Sequence, residues 1–317
     1  MHPTEPAEPV RLCSIHAPGV GAILCLVRDG HLYPVGSGRR FGDLAELIRS
    51  NSAGSLEAMV DRVGISGDPI APWETVASAE PSAERPNLRA PIRPLEVWAA
   101  GVTYERSLSA RKAESQEPDV YERVYEAERP ELFFKATGQR VVGPNDRVGL
   151  RSDSRWQVPE PELALVLDAA GAILGYTLGN DMSSRDIEGA NPLYLPQAKI
   201  FAGSCALGPA VVSAAEVPDP YALEVTIRVS RQDSVVFQGR TSTSRLHVKL
   251  DRLIAYLMQD NWIAPGTVLL TGTGVVPDES FSLQAGDVIE IASTNIGTLR
   301  NRCAPAAQLP TPDAWLL

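Results

Sequence analysis

Beyond residue 130 the apolar residues arrive in short runs, Leu132 to Phe134, Glu162 to Leu167, Ile173 to Leu178, Leu223 to Val229, Thr267 to Thr271 and Val288 to Ala292, each bounded by Gly, Pro, Asp or Asn. Runs of this length are strand-sized and too short for helices, and the flanking residues are turn formers, so the pattern predicts a mostly β unit with tight turns. One helix interrupts it: His247 to Met258 sets Val248, Leu250, Leu253, Ile254 and Leu257 on one face, with Asp251, Arg252 and Gln259 outward.

The first ninety residues read differently. Val20 to Val27 and His31 to Val35 form a hairpin turning at Asp29-Gly30. A helix follows over Phe41 to Arg49, and a second begins at Ser55, which caps it. From Asp68 to Pro94 the chain is rich in Pro, Ala, Ser and Glu, the composition of a connector lying across a surface. A boundary there divides the chain into a small N-terminal α/β domain with its linker, 1–90, and a catalytic domain, 91–317. Leu95 to Val102 opens the second part as a strand. The polar, helix-forming stretches Glu105 to Glu117 and Asp119 to Glu128 suit a mobile cover over a site.

The chemistry concentrates in Pro159-Glu160-Pro161-Glu162-Leu163-Ala164-Leu165-Val166-Leu167. In a strand, alternate side chains share a face, so Glu160 and Glu162 project together with Ala164 and Val166 toward a cleft, while Leu163, Leu165 and Leu167 face the core. Asp181 supplies a third carboxylate from the turn after the next apolar run. Three oxygen donors without Cys or His favour Mg²⁺, Mn²⁺ or Ca²⁺ over zinc or copper. The same residues also fit a solvated strand rim and an Asx turn, and spacing alone does not choose between the two.

The whole chain narrows the function classes. With 29 Lys and Arg against 39 Asp and Glu, the formal net charge of -10 argues against a nucleic-acid partner, which needs clustered positive charge. No apolar stretch approaches the roughly 20 residues that span a bilayer, so no membrane role is expected and the expected location is cytoplasmic. Cys13, Cys25, Cys205 and Cys303 are scattered, which reads as four reduced, half-buried fillers.

Along residues 95 to 302, roughly two-thirds of the chain, come in order Gly101-Val102-Thr103-Tyr104, Leu132-Phe133-Phe134-Lys135, Glu160-x-Glu162, Gly175-Tyr176-Thr177-x-Gly179-Asn180-Asp181 with Ser184-Arg185-Asp186, Lys199, Gly208-Pro209, Thr271-Gly272-Thr273-Gly274, and Gly286-Asp287 before Ile296-Gly297. In this order the motifs resemble the fumarylacetoacetate hydrolase superfamily. The resemblance implies an α+β fold whose mostly β catalytic domain is a β-roll. It also implies Mg²⁺ held by Glu160, Glu162 and Asp181, and a homodimer or dimer-based assembly. One departure matters. Hydrolases of this superfamily carry a His three residues after the Tyr of the first motif, partnered by a Glu; here Ser107 and Ala110 hold those places, so the water-activating pair is missing.

The wording Arg129-Pro130-Glu131-Leu132-Phe133-Phe134-Lys135 and the loop Asn191 to Lys199 is similar to one branch, the 2-keto-3-deoxypentonate dehydratases. This implies a hydro-lyase that acts on a small 2-keto acid through a metal-stabilised enolate and releases 2-oxoglutarate semialdehyde. The other readings are a C–C hydrolase or decarboxylase of acylpyruvate or oxaloacetate type, and a catalytically silent ligand-binding member. Glu131 is the candidate acid/base, with an ion-paired strand-edge Glu as the plainer reading, and Lys199 is the candidate cation beside the substrate ketone. Arg106 and Ser107 on the cover, Arg185, whose fork suits a carboxylate, and Thr273 in its glycine-flanked turn are candidate substrate contacts. For Arg185 a structural bridge to Asp186 or Glu188 competes.

Overall fold

The computed structural model describes residues 10–51, 54–107, 109 and 118–311. Its centre is a twelve-stranded, largely antiparallel sheet. In sheet order its main path runs Ala71–Pro72, His31–Pro34, Gly21–Arg28, Arg11–Ala17, Cys205–Ser213, Ile173–Asp181, Pro161–Leu167, Thr267–Leu270, Val97–Gly101 and Glu131–Ala136. A five-stranded sheet lies against it, ordered Ser234–Ser242, Glu224–Arg231, Val288–Ser293, Gly297–Pro305 and Arg147–Leu150.

The strand Pro161–Leu167 is buried along its whole length, and its side chains alternate as the sequence predicts, with an added consequence. Leu163, Leu165 and Leu167 join a core shared with Ile227, Ile289 and Leu299 of the second sheet and with Leu250, Leu253 and Leu257 of the helix Leu250–Met258. Ala164 and Val166 do not line a cleft. They pack into a second core against Leu44, Leu47 and Ile48 of the helix Leu44–Arg49 and Leu56 and Met59 of the helix Leu56–Val63. A strand covered on both faces needs a near-continuous apolar run, which Leu163 to Leu167 supplies. At about 1.5–3 kcal/mol per buried leucine, this strand is anchored firmly behind the two glutamates at its entrance.

The N-terminal elements form for local reasons legible in the chain. Asp29 and Gly30 both have positive φ, the backbone of a two-residue hairpin turn whose twist matches the flanking strands. Asp43 and Ser55 accept from the backbone N–H of Glu46 and Ala58 and cap their helices. The strand Arg11–Ala17 was not foreseen, and it pairs with Cys205–Ser213, so the sheet runs without a break from the first ninety residues into the remainder. The segment expected to be a surface connector contains the helix Trp73–Ala77 and the strand Asn87–Arg89, with Val76 and Leu88 in a third core cluster.

All four cysteines are free and fully buried rather than half-buried. Burial pushes the Cys25 and Cys205 thiols up to about 12 and raises Cys13 and Cys303 in the same direction. Among the described residues no helix is long and apolar enough to cross a membrane. Of the expected cover, Glu105 to Ser107 and the helix Pro118–Glu126 are described; Ala110 lies outside the described residues.

Candidate metal centre and active site

Glu160 and Glu162 stand at the mouth of Pro161–Leu167, and the neighbouring strand Ile173–Asp181 runs antiparallel to it with Pro161 opposite Asn180 and Glu162 opposite Gly179. This register brings Asp181 beside Glu160, whose carbonyl accepts from the Asp181 N–H at 3.0 Å. Asp181 was expected on a turn. It is instead the last residue of a strand, because Asn180 and Asp181 also pair with Ala206 and Cys205 on the other side. Two strands closing at one end therefore deliver three carboxylates, each with one oxygen within 4.8 Å of the others.

All three are almost wholly buried, and burying like charges together is costly unless partners compensate. Compensation comes from three cations. Lys199 Nζ donates to Glu160 Oε2 at 2.7 Å, Asp181 Oδ2 at 3.1 Å and Ser183 Oγ at 2.7 Å, which uses the three protons of an ammonium. Arg185 Nη2 donates to Glu160 Oε1 at 2.7 Å. Lys135, with no exposed surface, forms an ion pair with Asp181 Oδ1 at 2.5 Å and donates to the carbonyls of Met182 and Lys199. Glu162 has weaker support, the Gly272 N–H at 2.6 Å. Burial raises its carboxyl well above the ordinary range, and the Asp181 and Glu160 carboxylates push it the same way, against Lys199 and the Gly272 amide.

The donor set fits a hard divalent cation. Three carboxylates with oxygens within 4.8 Å of one another, and no Cys or His among them, form the donor set that Mg²⁺ or Ca²⁺ would take. Glu131 and Glu188 also line the cavity beside Glu160 and Glu162.

The remaining predicted residues divide. Glu131, Ser107, Arg185, Lys199 and Thr273 line one small cavity of about 20 Å³ with Glu160 and Glu162. Arg106 does not. It lines an adjoining hollow of about 490 Å³, and its Nη2 donates to the Val276 carbonyl at 3.5 Å. The Ser107 hydroxyl is tied to the Tyr104 backbone, donating to its carbonyl at 2.6 Å, and the Thr273 hydroxyl to Val275. Arg185 bridges to Glu160; Asp186 turns to the Ser154 hydroxyl and the Arg155 N–H instead. His16 and His31 sit on the N-terminal strands, His247 stacks on Tyr125 in the adjoining hollow, and His2 lies outside the described residues. Among the described residues the cavity is lined by no histidine.

Three participants were not assigned from the sequence: Lys135, Ser183 and Glu188. Lys135 carried a signal, since it shares strand parity with Glu131 inside an apolar run. The Glu131 carboxylate crosses the neighbouring strand because its partner in register is Gly101: a Cβ there would stand 2.1 Å from Glu131 Oε2. Val102, next along, holds a positive φ of 52°, a strained conformation for a β-branched residue and one that tends to occur at functional sites.

Residues 96–304 match the family model described as fumarylacetoacetate (FAA) hydrolase C-terminal. The chain belongs to the fumarylacetoacetate hydrolase family. Its mostly β, α+β architecture is the fold of that family. It is similar to the probable 2-keto-3-deoxyxylonate dehydratase of Haloferax volcanii, at 44% identity over 278 residues, 86% of this chain and 92% of that protein. It is also similar to the 2-dehydro-3-deoxy-D-arabinonate dehydratase of Saccharolobus solfataricus, at 48% identity over 216 residues, 66% of this chain and 72% of that one. The solved structure of a 2-keto-3-deoxy-D-arabinonate dehydratase complexed with magnesium and 2,5-dioxopentanoate superposes with a TM-score of 0.79 at 36% identity, covering 93% of this chain and 99% of its own.

Proposed function

We propose that this family member is a Mg²⁺-dependent hydro-lyase that removes water from a 2-keto-3-deoxypentonate to give 2-oxoglutarate semialdehyde, which is 2,5-dioxopentanoate. The observation that carries the reading is the pairing of an all-carboxylate metal cluster with a separate carboxylate, Glu131, in a cavity lined by no histidine among the described residues. Both relatives bear dehydratase names, and the solved neighbour holds the expected metal and product.

Glu160, Glu162 and Asp181 hold the ion, with Glu160 aimed by Arg185. When bound, Mg²⁺ polarises the carboxylate and ketone oxygens of a 2-keto acid. The Lys199 ammonium adds fixed positive charge where negative charge develops on the ketone oxygen, and because it is already held by three acceptors it needs no reorganisation. Glu131 takes the proton from C3 and returns it to the C4 hydroxyl, so the C3–H and C4–O bonds break, water leaves, and the product rearranges to the C5 aldehyde. Ser107 and Thr273, which line the cavity, meet the hydroxyl and carboxylate ends of the substrate, and Arg106 stands in the adjoining hollow.

The family match begins at residue 96, which supports dividing the chain near residue 90, with the N-terminal part bracing the sheet. The exposed Leu193, Tyr194 and Trp262 support a homodimer or a dimer-based assembly, and the four reduced, buried thiols support a cytoplasmic setting.

The test is incubation of the purified protein with Mg²⁺ and 2-keto-3-deoxy-arabinonate or -xylonate. Release of 2-oxoglutarate semialdehyde is expected. Turnover of neither substrate, alongside cleavage of an acylpyruvate, overturns the reading in favour of a C–C hydrolase.

A further inference from the structure

Glu131 opens its strand immediately after a turn whose side chains add little to any core: Ala127, Glu128 and Arg129 are all exposed. That turn is nevertheless gripped from one side. The His247 ring stacks on Tyr125 with centroids 4.2 Å apart and 17° between the planes. Arg252 Nη2 donates to the Ala127 carbonyl at 2.8 Å and also contacts the Glu128 carbonyl. The Arg129 guanidinium lies 5.0 Å from the centre of the Tyr256 ring. Arg252 and Tyr256 are four residues apart on the helix Leu250–Met258, so they present to one side together. The buried Leu250, Leu253 and Leu257 root this helix in the main core, which makes it a rigid support.

The grip ends two residues before Glu131, and Pro130 between them has a fixed φ, so little slack separates the held turn from the carboxylate. At its other flank Glu131 pairs with Gly101. We propose that Arg252, backed by Tyr256, is a positioning residue for Glu131: it never meets the substrate, and it sets where the acid/base carboxylate stands by clamping the turn that leads into its strand. This inference rests on the acid/base role proposed above for Glu131.

The test uses the Mg²⁺-loaded enzyme and four variants: Arg252→Ala, Arg252→Lys, Glu131→Gln and the double variant Arg252→Ala with Glu131→Gln. Each is read by kcat, KM and the kinetic isotope effect with substrate deuterated at C3. Arg252→Ala is expected to lower kcat by about tenfold with KM within about twofold, because geometry at the reacting atoms is degraded while binding is kept. Its isotope effect should rise as proton transfer becomes slower than the other steps. Arg252→Lys, which can still reach one carbonyl, should recover part of the rate, and the double variant should be no slower than Glu131→Gln alone. Should Arg252→Ala fold poorly, Tyr256→Leu removes the ring beneath Arg129 without touching Arg252 and gives the same readouts. Wild-type kcat and isotope effect in Arg252→Ala and Tyr256→Leu, beside a slow Glu131→Gln enzyme, overturn the inference alone, as do losses that multiply in the double variant. Normal turnover by Glu131→Gln overturns the acid/base reading and the inference with it.

Discussion

Gly101→Ala should disable the enzyme without unfolding it. The added methyl would stand 2.1 Å from Glu131 Oε2 and 2.5 Å from Glu131 Cδ, and no main-chain atom is among its three nearest neighbours. Ordinary contact begins near 3.4 Å, so the carboxylate must withdraw by about 1.3 Å. Because the obstructing group is the far end of a flexible side chain, and Gly101 has no positive φ, the fold can absorb the change. The loss of unfolded-state freedom even favours alanine by about 0.4–1 kcal/mol. The melting temperature should therefore stay within a few degrees of the parent. A displacement of this size at a reacting group costs about 10²-fold in rate, equivalent to about 2.7 kcal/mol of barrier. Mg²⁺ affinity, measured by calorimetry, should be nearly unchanged, since Glu131 is outside the carboxylate triad. A folded Gly101→Ala enzyme that forms the semialdehyde with kcat within about twofold of the parent would show that the proton does not move at Glu131.

Glu162→Gln should abolish turnover and weaken Mg²⁺ binding by at least about tenfold while circular dichroism stays native; unchanged activity would remove Glu162 from the site. Lys199→Met removes the ammonium that donates to Glu160 Oε2 and Asp181 Oδ2 and breaks a buried ion pair, so the metal-free protein should lose about 3–5 kcal/mol, a fall on the order of 10 °C in Tm, and an unchanged Tm would show that the ammonium does not balance the cluster. The raised Glu162 carboxyl means that the metal-free folded protein keeps a proton that the unfolded chain releases near its usual value of roughly 4.3. Stability should therefore fall as pH rises from that value through the raised one, and Mg²⁺ affinity should climb over the same window as the competing proton leaves. A dissociation constant that stays flat from about pH 5 to about pH 8 counts against this. With Cys25 and Cys205 pushed up to about 12 and Cys13 and Cys303 also raised and buried, no thiol should react with Ellman's reagent near neutral pH until the protein is denatured; reaction of the native protein would show that one is accessible.

Much of this was legible in the residues because it depends on local rules. Period-two alternation separated the two faces of Pro161–Leu167, although the face expected to line a cleft at Ala164 and Val166 is a second core; Asp29-Gly30 signalled its turn, Asp43 and Ser55 stood at their helix caps, and Glu160-x-Glu162 put two carboxylates on one side of a strand. The Ser107 that stands three residues after Tyr104 argued against hydrolysis only because the family resemblance says that a His belongs there, and it said less about decarboxylation. What the chain by itself could not decide was who meets whom across long separations. Arg11–Ala17 finds its partner some two hundred residues away in Cys205–Ser213. Asp181 becomes a strand residue because neighbours on both sides extend its ladder, and Lys135 becomes part of the cluster because the strand Glu131–Ala136 is laid along Val97–Gly101. Arg106, chosen for its charge and place on the cover, ends in the adjoining hollow because its guanidinium turns to the Val276 carbonyl. Alternation and capping are settled by backbone geometry within a few residues, whereas register, burial and ion pairing are settled only when the sheet closes and every buried charge must find a partner.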